Sequence, residues 1–306
     1  MKETIYVIII FLFVFCCIET FCRIFKIEQT YTDERNIIYK YDEELGWSGK
    51  PNLNTSYIGI RVINNNLGFR DIEHNYIEKN KKRIMFIGDS FCWGYGVNQD
   101  KNFIELLRYK LKEYELFNCG ISGYATDQEY ILLKKYFDII KPNIVLLVYC
   151  CANDNIENNT NFVFKQYYKP YYIIKNENLE LHGIPVPKTW LYYKNNFFIK
   201  HSNFITFILK NFIIFKNPPI YTNDYGIIED ILLLFKQFLT DKNCTFYIGL
   251  TNSDDNFEKF LKNKDIKYIV LENKNTIEND IHWNEKGHEY VADKIYNFFK
   301  QENIIK

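Results

Sequence analysis

The sequence predicts an α/β fold in which helices cover both faces of one parallel sheet, giving a three-layer α/β/α sandwich. From about residue 83, short apolar runs alternate with segments of helical periodicity, and this alternation is typical of such a sheet. The runs are apolar at successive positions, as expected for strands that are buried on both faces. At 306 residues and 47% hydrophobic, the chain can bury a core of that size.

The individual elements follow from the same patterns. The predicted strands cover residues 83–89, 116–121, 144–149, 244–250 and 267–271. The predicted helices cover residues 101–114, 126–140, 204–215, 227–239, 256–261 and 284–300. Thr126, with Glu129 three positions later, is a candidate N-cap with a capping box. An insertion rich in Tyr, Phe and Asn, residues 156–223, interrupts the alternation, and residues 167–187 within it predict a hairpin that turns near 176–178.

Residues 1–26 predict an uncleaved membrane anchor. Residues 4–18 are uncharged and apolar, and residues 4–25 reach the length of a span if Glu19 and Arg23 lie near an interface. The spacing of these two residues allows them to pair on one helix face. A cleaved signal peptide, for which no small-residue cleavage site follows, and a buried core helix are the alternatives. Residues 205–215 are also apolar, but they are too short for a span and include Lys210.

Residues 27–80 are polar with sparse apolar positions, and they predict a linker and lead-in segment with a short strand or two. The domain itself is expected over residues 81–306, including the insertion. Charges flank the anchor on both sides, so the positive-inside rule hardly separates the two orientations. The eight cysteines, without C-x-x-C spacing, are expected to be buried thiols, and unpaired thiols favour an exported protein less than a cytosolic one.

The charge balance argues against a nucleic-acid-binding protein. Lys+Arg and Asp+Glu number 38 each, so the formal net charge is zero, whereas such proteins normally carry a basic excess. His282 and His288 are separated by six positions and do not share a helix face, which makes them a poor pair of metal ligands. The sequence therefore predicts no nucleic-acid partner, no metal and no cofactor.

Four segments with chemically useful side chains lie at the ends of predicted strands. Residues 88–90 (Gly-Asp-Ser), 118–123 and 151–154 close the first three strands, and residues 280–284 precede the last helix. Each segment alone has an ordinary explanation as a turn or a helix cap. Because ligands of open parallel sheets bind at the carboxyl ends of the strands, we expect the four segments to meet there. A hydroxyl, oxyanion donors and an acid–base pair would then converge, as acyl transfer requires.

Taken in this order, the four segments resemble the sequence blocks of the SGNH (GDSL-type) hydrolase family over about residues 83–300. The apolar N-terminus and residues 66–71 (Asn-Leu-Gly-Phe-Arg-Asp) resemble a membrane-anchored bacterial branch of that family. The resemblance implies a flavodoxin-like sheet. It also implies Ser90 as the nucleophile, His282 as the base and Asp280 as the acid that orients the base.

The same resemblance implies an oxyanion hole formed by Ser90, Gly123 and Asn153. Two positions depart from the family pattern. Cys151 stands where the third block usually has a glycine, and Asn279 occupies the place three residues before the histidine where the acid is often found.

The resemblance implies a serine esterase that removes an O-acetyl or other short acyl group from a small molecule, a glycan or a lipid. It also favours a single-pass membrane protein whose catalytic domain is extracytoplasmic. Two alternatives stay open, namely an O-acyltransferase with the same triad and an inactive membrane-tethered glycan-binding protein. The aromatic side chains of the insertion either stack on sugar rings or pack the insertion itself; they are Tyr167, Tyr168, Tyr171, Tyr172 and Trp190.

Overall fold

The structure, a computed structural model, describes residues 2–27, 35–77, 80–152, 154–176, 178–193, 196–222 and 226–305. The strands are β1 (Tyr39–Asp42), β2 (Gly46–Gly49), β3 (Asn54–Tyr57), β4 (Ile60–Ile63), β5 (Lys82–Gly88), β6 (Tyr114–Asn118), β7 (Ile144–Tyr149), β8 (Phe162–Val163), β9 (Tyr167–Tyr168), β10 (Tyr171–Lys175), β11 (Asn178–His182), β12 (Thr245–Leu250) and β13 (Lys267–Val270). The helices are α1 (Lys2–Ile24), α2 (Arg35–Ile38), α3 (Ser90–Trp93), α4 (Phe103–Lys110), α5 (Thr126–Ile140), α6 (Asp154–Glu157), α7 (Phe197–His201), α8 (Asn203–Lys216), α9 (Gly226–Asp241), α10 (Asp255–Asn263) and α11 (Glu285–Gln301).

A parallel sheet of five strands lies at the centre, in the order β13-β12-β7-β5-β6. Relative to the chain, this is the 2-1-3-4-5 order of flavodoxin-like folds, in which the sequence changes direction between the first and third strands. Ile84 of β5 is paired with Leu116 on one side and Ile144 on the other. The predicted fold class is therefore confirmed.

Helices cover both faces of the sheet because the sheet strands carry apolar side chains on both. Ile84 and Phe86 of β5 pack against α4 and α11, whereas Met85 and Ile87 pack on the opposite face. That second face is covered by α5 and α9, which also contact one another. The result is the predicted α/β/α sandwich.

The segment before the sheet packs against the domain more closely than its polar sequence suggests. Strands β1–β4 form two antiparallel hairpins, where a short strand or two was expected. Trp47 and Val62 from these hairpins are fully buried in the core. Sparse apolar residues therefore contribute core here, while the division of the chain at residues 26 and 80 stays a prediction.

The cap predicted for α5 is wrong. The N-cap is Ala125 and not Thr126, and the side chain of Gln128, not that of Glu129, accepts the Ala125 backbone N–H at 3.2 Å. Thr126 and Glu129 are instead buried within the molecule.

The insertion contains the predicted hairpin, β10–β11, and Asn176 at the end of β10 adopts the left-handed conformation at φ 50°. Four of the five aromatic side chains that were candidates for sugar stacking are buried, so the packing alternative applies to them and sugar stacking does not; these are Tyr167, Tyr168, Tyr172 and Trp190. Tyr171 is partly exposed and stacks on His182.

Helix α1 is, within the described part of the chain, the helix that is long and apolar enough to cross a membrane. Its 23 residues extend about 35 Å at about 1.5 Å per residue, compared with about 30 Å for a hydrocarbon core. Arg23 Nε lies 2.6 Å from Glu19 Oε1, which confirms the predicted pair.

Candidate active site

Ser90 lies where β5 ends and the short helix α3 begins. Asp89 is the N-cap, and its Oδ1 accepts the Phe91 backbone N–H at 2.9 Å. The turn is tightly packed, because a Cβ atom on Gly88 would lie 2.8 Å from both the Cys92 side chain and the Val148 carbonyl oxygen. The hydroxyl of Ser90 is thereby held at the carboxyl end of the sheet, beside the point where the strand order reverses.

His282 brings the last predicted segment to this serine. Its Nε2 lies 2.7 Å from Ser90 Oγ, and its Nδ1 lies 2.6 Å from Asp280 Oδ1. The imidazole also contacts two aromatic rings, with centroid distances of 4.9 Å to Phe91 and 4.5 Å to Tyr95. Three residues that the sequence analysis singled out thus form one continuous chain of hydrogen bonds.

The loop before α11 explains how an acid two residues before the histidine reaches it. Asn279 adopts the left-handed conformation at φ 58°, which Asn tolerates better than most residues. The next residue, Asp280, then accepts both the backbone N–H of His282 at 3.0 Å and its ring. Partial burial acts to raise the pKa of Asp280, but these hydrogen bonds outweigh it, and the pKa lies below its usual value of 3.8.

A cavity of about 290 Å³ opens in front of Ser90 and His282. Gly123 lines it at φ 79°, and a Cβ atom there would lie 2.5 Å from the Arg35 guanidinium and 2.8 Å from the Phe164 ring. The third predicted oxyanion residue, Asn153, lies outside the described residues. The ends of β5, β6 and β7 all contribute to the lining: Arg35, Tyr57, Asp89, Ser90, Phe91, Tyr95, Ser122, Gly123, Cys150, Phe164, Ile281 and His282.

Several of the lining residues come from segments to which the sequence analysis assigned no site residue. Arg35 precedes the hairpins of the lead-in segment; it donates to the Ser122 carbonyl oxygen at 2.8 Å and lies over the Phe164 ring at 4.3 Å. Phe164 is the contribution of the insertion. Neither residue belongs to a strand-end motif of the sheet, and so no sequence signal marked them.

Arg70 and Asp71 hold the site together from the lead-in segment. The buried Arg70 guanidinium donates to the carbonyl oxygens of Gly94 at 2.7 Å and Val97 at 2.8 Å, in the loop after α3. Asp71 Oδ2 accepts the Asn118 backbone N–H at 2.9 Å at the end of β6. The segment 66–71, noted in the sequence only for its resemblance, therefore supports two of the strand ends that carry the site.

Buried carboxyl groups adjoin the cavity, which Asp89 itself lines. Asp89, Glu129 and Asp154 are fully buried, and Asp154 Oδ2 accepts the Cys150 backbone N–H at 2.9 Å. Among the residues that the structure describes, both oxygens of Glu129 and the second oxygen of Asp154 have no hydrogen-bond partner. Burial, together with mutual repulsion, raises the pKa of Glu129 and Asp154 well above the usual range.

The same region contains a buried ion pair from the insertion. Lys169 Nζ contacts Asp127 Oδ2, and both side chains are fully buried. Burial raises the pKa of Asp127, opposed by Lys169, and burial with repulsion from Asp89 raises the pKa of Glu157 to about 8. We name these carboxyl groups the acidic floor, and they outnumber the one positive charge that Lys169 supplies; they are Asp89, Asp127, Glu129, Asp154 and Glu157.

His288 and the cysteine thiols have packing roles. His288 is buried, its Nδ1 accepts the Phe103 backbone N–H at 3.3 Å, and burial lowers its pKa to about 3. Cys22, Cys92, Cys119, Cys150 and Cys244 are buried, as expected, but the expectation is wrong for Cys16 and Cys17, which are exposed on α1. Cys151 donates to the Asn252 carbonyl oxygen at 3.1 Å, and burial raises its pKa to about 11, so it is held as a thiol.

No family model and no curated protein matches the chain. Among solved structures, it is similar to TesA at 10% identity with a TM-score of 0.44, over 72% of this chain and 99% of that one. It is similar to the psychrotrophic esterase EstA from Pseudoalteromonas sp. at 13% identity and a TM-score of 0.44, over 74% and 100%. It is also similar to the acetyl xylan esterase AlAXEase at 15% identity and a TM-score of 0.42, over 70% and 98%.

Proposed function

We propose that the chain is a serine hydrolase that cleaves a carboxylic ester through Ser90, His282 and Asp280. The observation that carries this proposal is the pair of short contacts, 2.7 Å from His282 Nε2 to Ser90 Oγ and 2.6 Å from its Nδ1 to Asp280, at the mouth of a cavity. A serine hydroxyl is a weak nucleophile until an adjacent base accepts its proton, and this arrangement supplies that base and the carboxylate that orients it.

In the proposed reaction, Ser90 Oγ attacks the ester carbonyl while its proton passes to His282 Nε2. Asp280 keeps the other ring proton on Nδ1 and stabilises the imidazolium that forms. The backbone N–H groups of Ser90 and Gly123, with the side chain of Asn153, are the proposed donors to the oxyanion. His282 then protonates the leaving alcohol, and water hydrolyses the acyl-enzyme by the same route in reverse.

The size of the cavity favours a short acyl group. At about 290 Å³ it is at the lower end of ligand pockets, which range from about 300 to about 1,000 Å³. An acetyl or similarly small acyl group fits such a space beside Ser90, with the alcohol part of the ester directed outward. A glycan, a lipid and a small molecule all remain candidate carriers of that group.

We also propose that α1 anchors the chain as a single span with the catalytic domain on the extracytoplasmic side. The length and apolar composition of α1 support the span, and residues 5–14 of the helix are all exposed in the chain by itself. The resemblance of the sequence to a membrane-anchored branch of the SGNH hydrolases supports the orientation.

The experiment is labelling with a fluorophosphonate together with hydrolysis of p-nitrophenyl acetate. Ser90→Ala should lose both, with turnover falling by at least about 10³-fold because the acyl-enzyme cannot form. Ser253→Ala, at an exposed serine that does not line the cavity, is the matched control and should retain both. Labelling or turnover that persists in Ser90→Ala excludes this serine as the nucleophile. A membrane-impermeant probe on intact and broken cells reports the side of the membrane in the same experiment.

A further inference from the structure

Helix α8 of the insertion has an outer face of unusual composition. Thr206 and Ile213 are buried against the rest of the molecule. The opposite face carries what we name the α8 stripe: Phe207, Ile208, Phe212 and Phe215, with exposed fractions of 37%, 51%, 52% and 85%. A surface helix of a soluble protein presents polar side chains to the solvent, whereas α8 presents apolar side chains there.

The two polar residues beside the stripe, Asn211 and Lys216, can be accommodated in an apolar environment. Asn211 lies within it, but its Nδ2 donates to the Phe207 carbonyl oxygen of the same helix at 2.7 Å. Lys216, at the end of the helix, extends its ammonium group over the Phe212 ring at 4.7 Å. Long basic side chains at a helix end can keep their charge at a membrane surface in this way. The preceding helix α7 adds exposed Phe197 and Phe198.

The stripe is attached to α1 by a polar joint. The Glu19 carboxylate accepts the backbone N–H groups of Asn203 at 3.1 Å and Phe204 at 3.0 Å, and the Ser202 hydroxyl at 2.8 Å. Arg23, which pairs with Glu19, donates to the carbonyl oxygen of His201 at 2.6 Å. A charged residue of α1 thus caps the first turn of α8, which ties the two helices together at one level.

Helix α8 begins beside the last turns of α1. Phe15 of α1 contacts Phe204 of α8 at a ring distance of 5.9 Å, and Arg23, further along α1, contacts His201, the last residue of α7. At its other end α8 is held by the domain, because the Tyr168 hydroxyl donates to the Asn217 carbonyl oxygen at 2.6 Å. With 14 residues α8 extends about 21 Å, which is too short to cross a bilayer of about 30 Å, so its outer face contacts at most one leaflet.

We propose that the α8 stripe is embedded in one leaflet of the same bilayer that α1 crosses. The lipid is favoured over a protein partner because the stripe is joined through Glu19 to a helix whose exposed surface is equally apolar. An amphipathic helix with an apolar outer face and basic residues at its end is the form that interfacial membrane contacts take. The inference rests on the anchoring proposed for α1, and it does not depend on the hydrolase chemistry.

The test is photo-cross-linking of the full chain in vesicles of phosphatidylcholine and phosphatidylglycerol. The benzophenone amino acid p-benzoyl-phenylalanine replaces Phe212 in one variant, Phe11 of α1 in a second and the exposed Tyr109 of α4 in a third. On irradiation its ketone inserts into a C–H bond, forming a C–C bond and a tertiary alcohol, so the product mass is the sum of the two partners. The yield of phospholipid adduct at Phe212 should lie within about threefold of that at Phe11 and at least about tenfold above that at Tyr109.

The outcomes separate the proposals. A lipid adduct at Phe11 without one at Phe212 overturns the embedding of the α8 stripe and leaves the anchor standing. An adduct between two copies of the chain at Phe212 also overturns it, since the stripe is then a dimer face. The absence of lipid adducts at both positions contradicts the anchoring itself. Turnover of p-nitrophenyl acetate, measured in each variant, reports on the hydrolase proposal independently.

Discussion

Asp280 accepts two hydrogen bonds from the same residue, the backbone N–H of His282 at 3.0 Å and its ring Nδ1 at 2.6 Å. The first fixes the loop and the second fixes the ring, so the lone pair of Nε2 is directed to Ser90. The sequence offered Asp280 as the acid beside the candidate base, and the resemblance to a family branch supported the choice, although the acid of such a motif is often one position earlier. The left-handed turn at Asn279 that permits the shorter spacing is a property of the folded loop and cannot be inferred from residue types.

Replacing Asp280 by Asn should lower kcat by about 10³- to 10⁴-fold, because an amide in this position stabilises the wrong tautomer of the base. The measurement is hydrolysis of p-nitrophenyl acetate at neutral pH, with the fold checked by circular dichroism. Glu278→Gln removes an exposed carboxylate from the same loop and is the matched control, which should keep full activity. Comparable rates in both variants would mean that Asp280 does not orient His282.

At the scale of elements, the sequence predicted best those strands in which every successive side chain is buried. The bounds of β7 agree with the predicted strand because every one of its side chains is buried. The hairpins β1–β4 were underestimated because their buried residues, such as Trp47, become core only through contact with distant elements. The cap of α5 failed for a related reason, since the Gln128 side chain also donates to the Leu45 carbonyl oxygen at 2.7 Å, a contact with the distant lead-in segment.

Glu19 offers a test of how α8 is held. Glu19→Gln keeps the shape of the side chain and removes the charge, which should cost about 1–2 kcal/mol at a partly buried helix N-terminus. Hydrogen exchange of the Asn203 and Phe204 amides should then be about tenfold faster, with the amides of β5 unchanged. Glu3→Gln, on an exposed position of the same helix, should alter neither. Equal protection of the two amides in both variants would show that the charge contributes nothing to the joint.

At the scale of the whole molecule, the sequence predicted the sandwich and the convergence of three site residues on one sheet edge. It did not predict the acidic floor, because Glu129 and Asp154 read as ordinary helical and strand-end polar residues. The neighbouring Asp127 pairs with Lys169 of the insertion, and Gln128 donates to the Leu45 carbonyl oxygen of the lead-in segment. Both of those segments lie outside the strand alternation.

The acidic floor gives stability a definite pH dependence. The Glu157 carboxyl releases its proton near pH 4.5 in the unfolded chain but only at about 8 in the folded one. Between these pH values the folded chain holds a proton on Glu157 that the unfolded chain has released. The free energy of unfolding therefore decreases as pH rises, by about 1.4 kcal/mol per pH unit for each such proton. The pKa of His288 is lowered to about 3, so its titration makes the free energy of unfolding increase with pH. This effect is confined to pH values below 6.5, the usual pKa of a histidine.

Thermal unfolding of the vesicle-bound chain at pH 6.5, 7.5 and 8.5 should therefore give a falling Tm. Glu157→Gln should flatten the decrease, because the amide has no proton to lose, whereas Glu113→Gln, on the surface, should leave it unchanged. A Tm that rises across this range would mean that these carboxyl groups are already ionised in the folded protein.

The buried carboxyls also change the meaning of the zero net charge. That count treats all 38 acidic side chains as ionised. Every carboxyl that keeps its proton in the folded state makes the native protein one charge more positive than the unfolded chain at the same pH. Folding therefore takes up protons from the buffer, and unfolding returns them. In isoelectric focusing, the native protein would be displaced toward higher pH than the same polypeptide in urea.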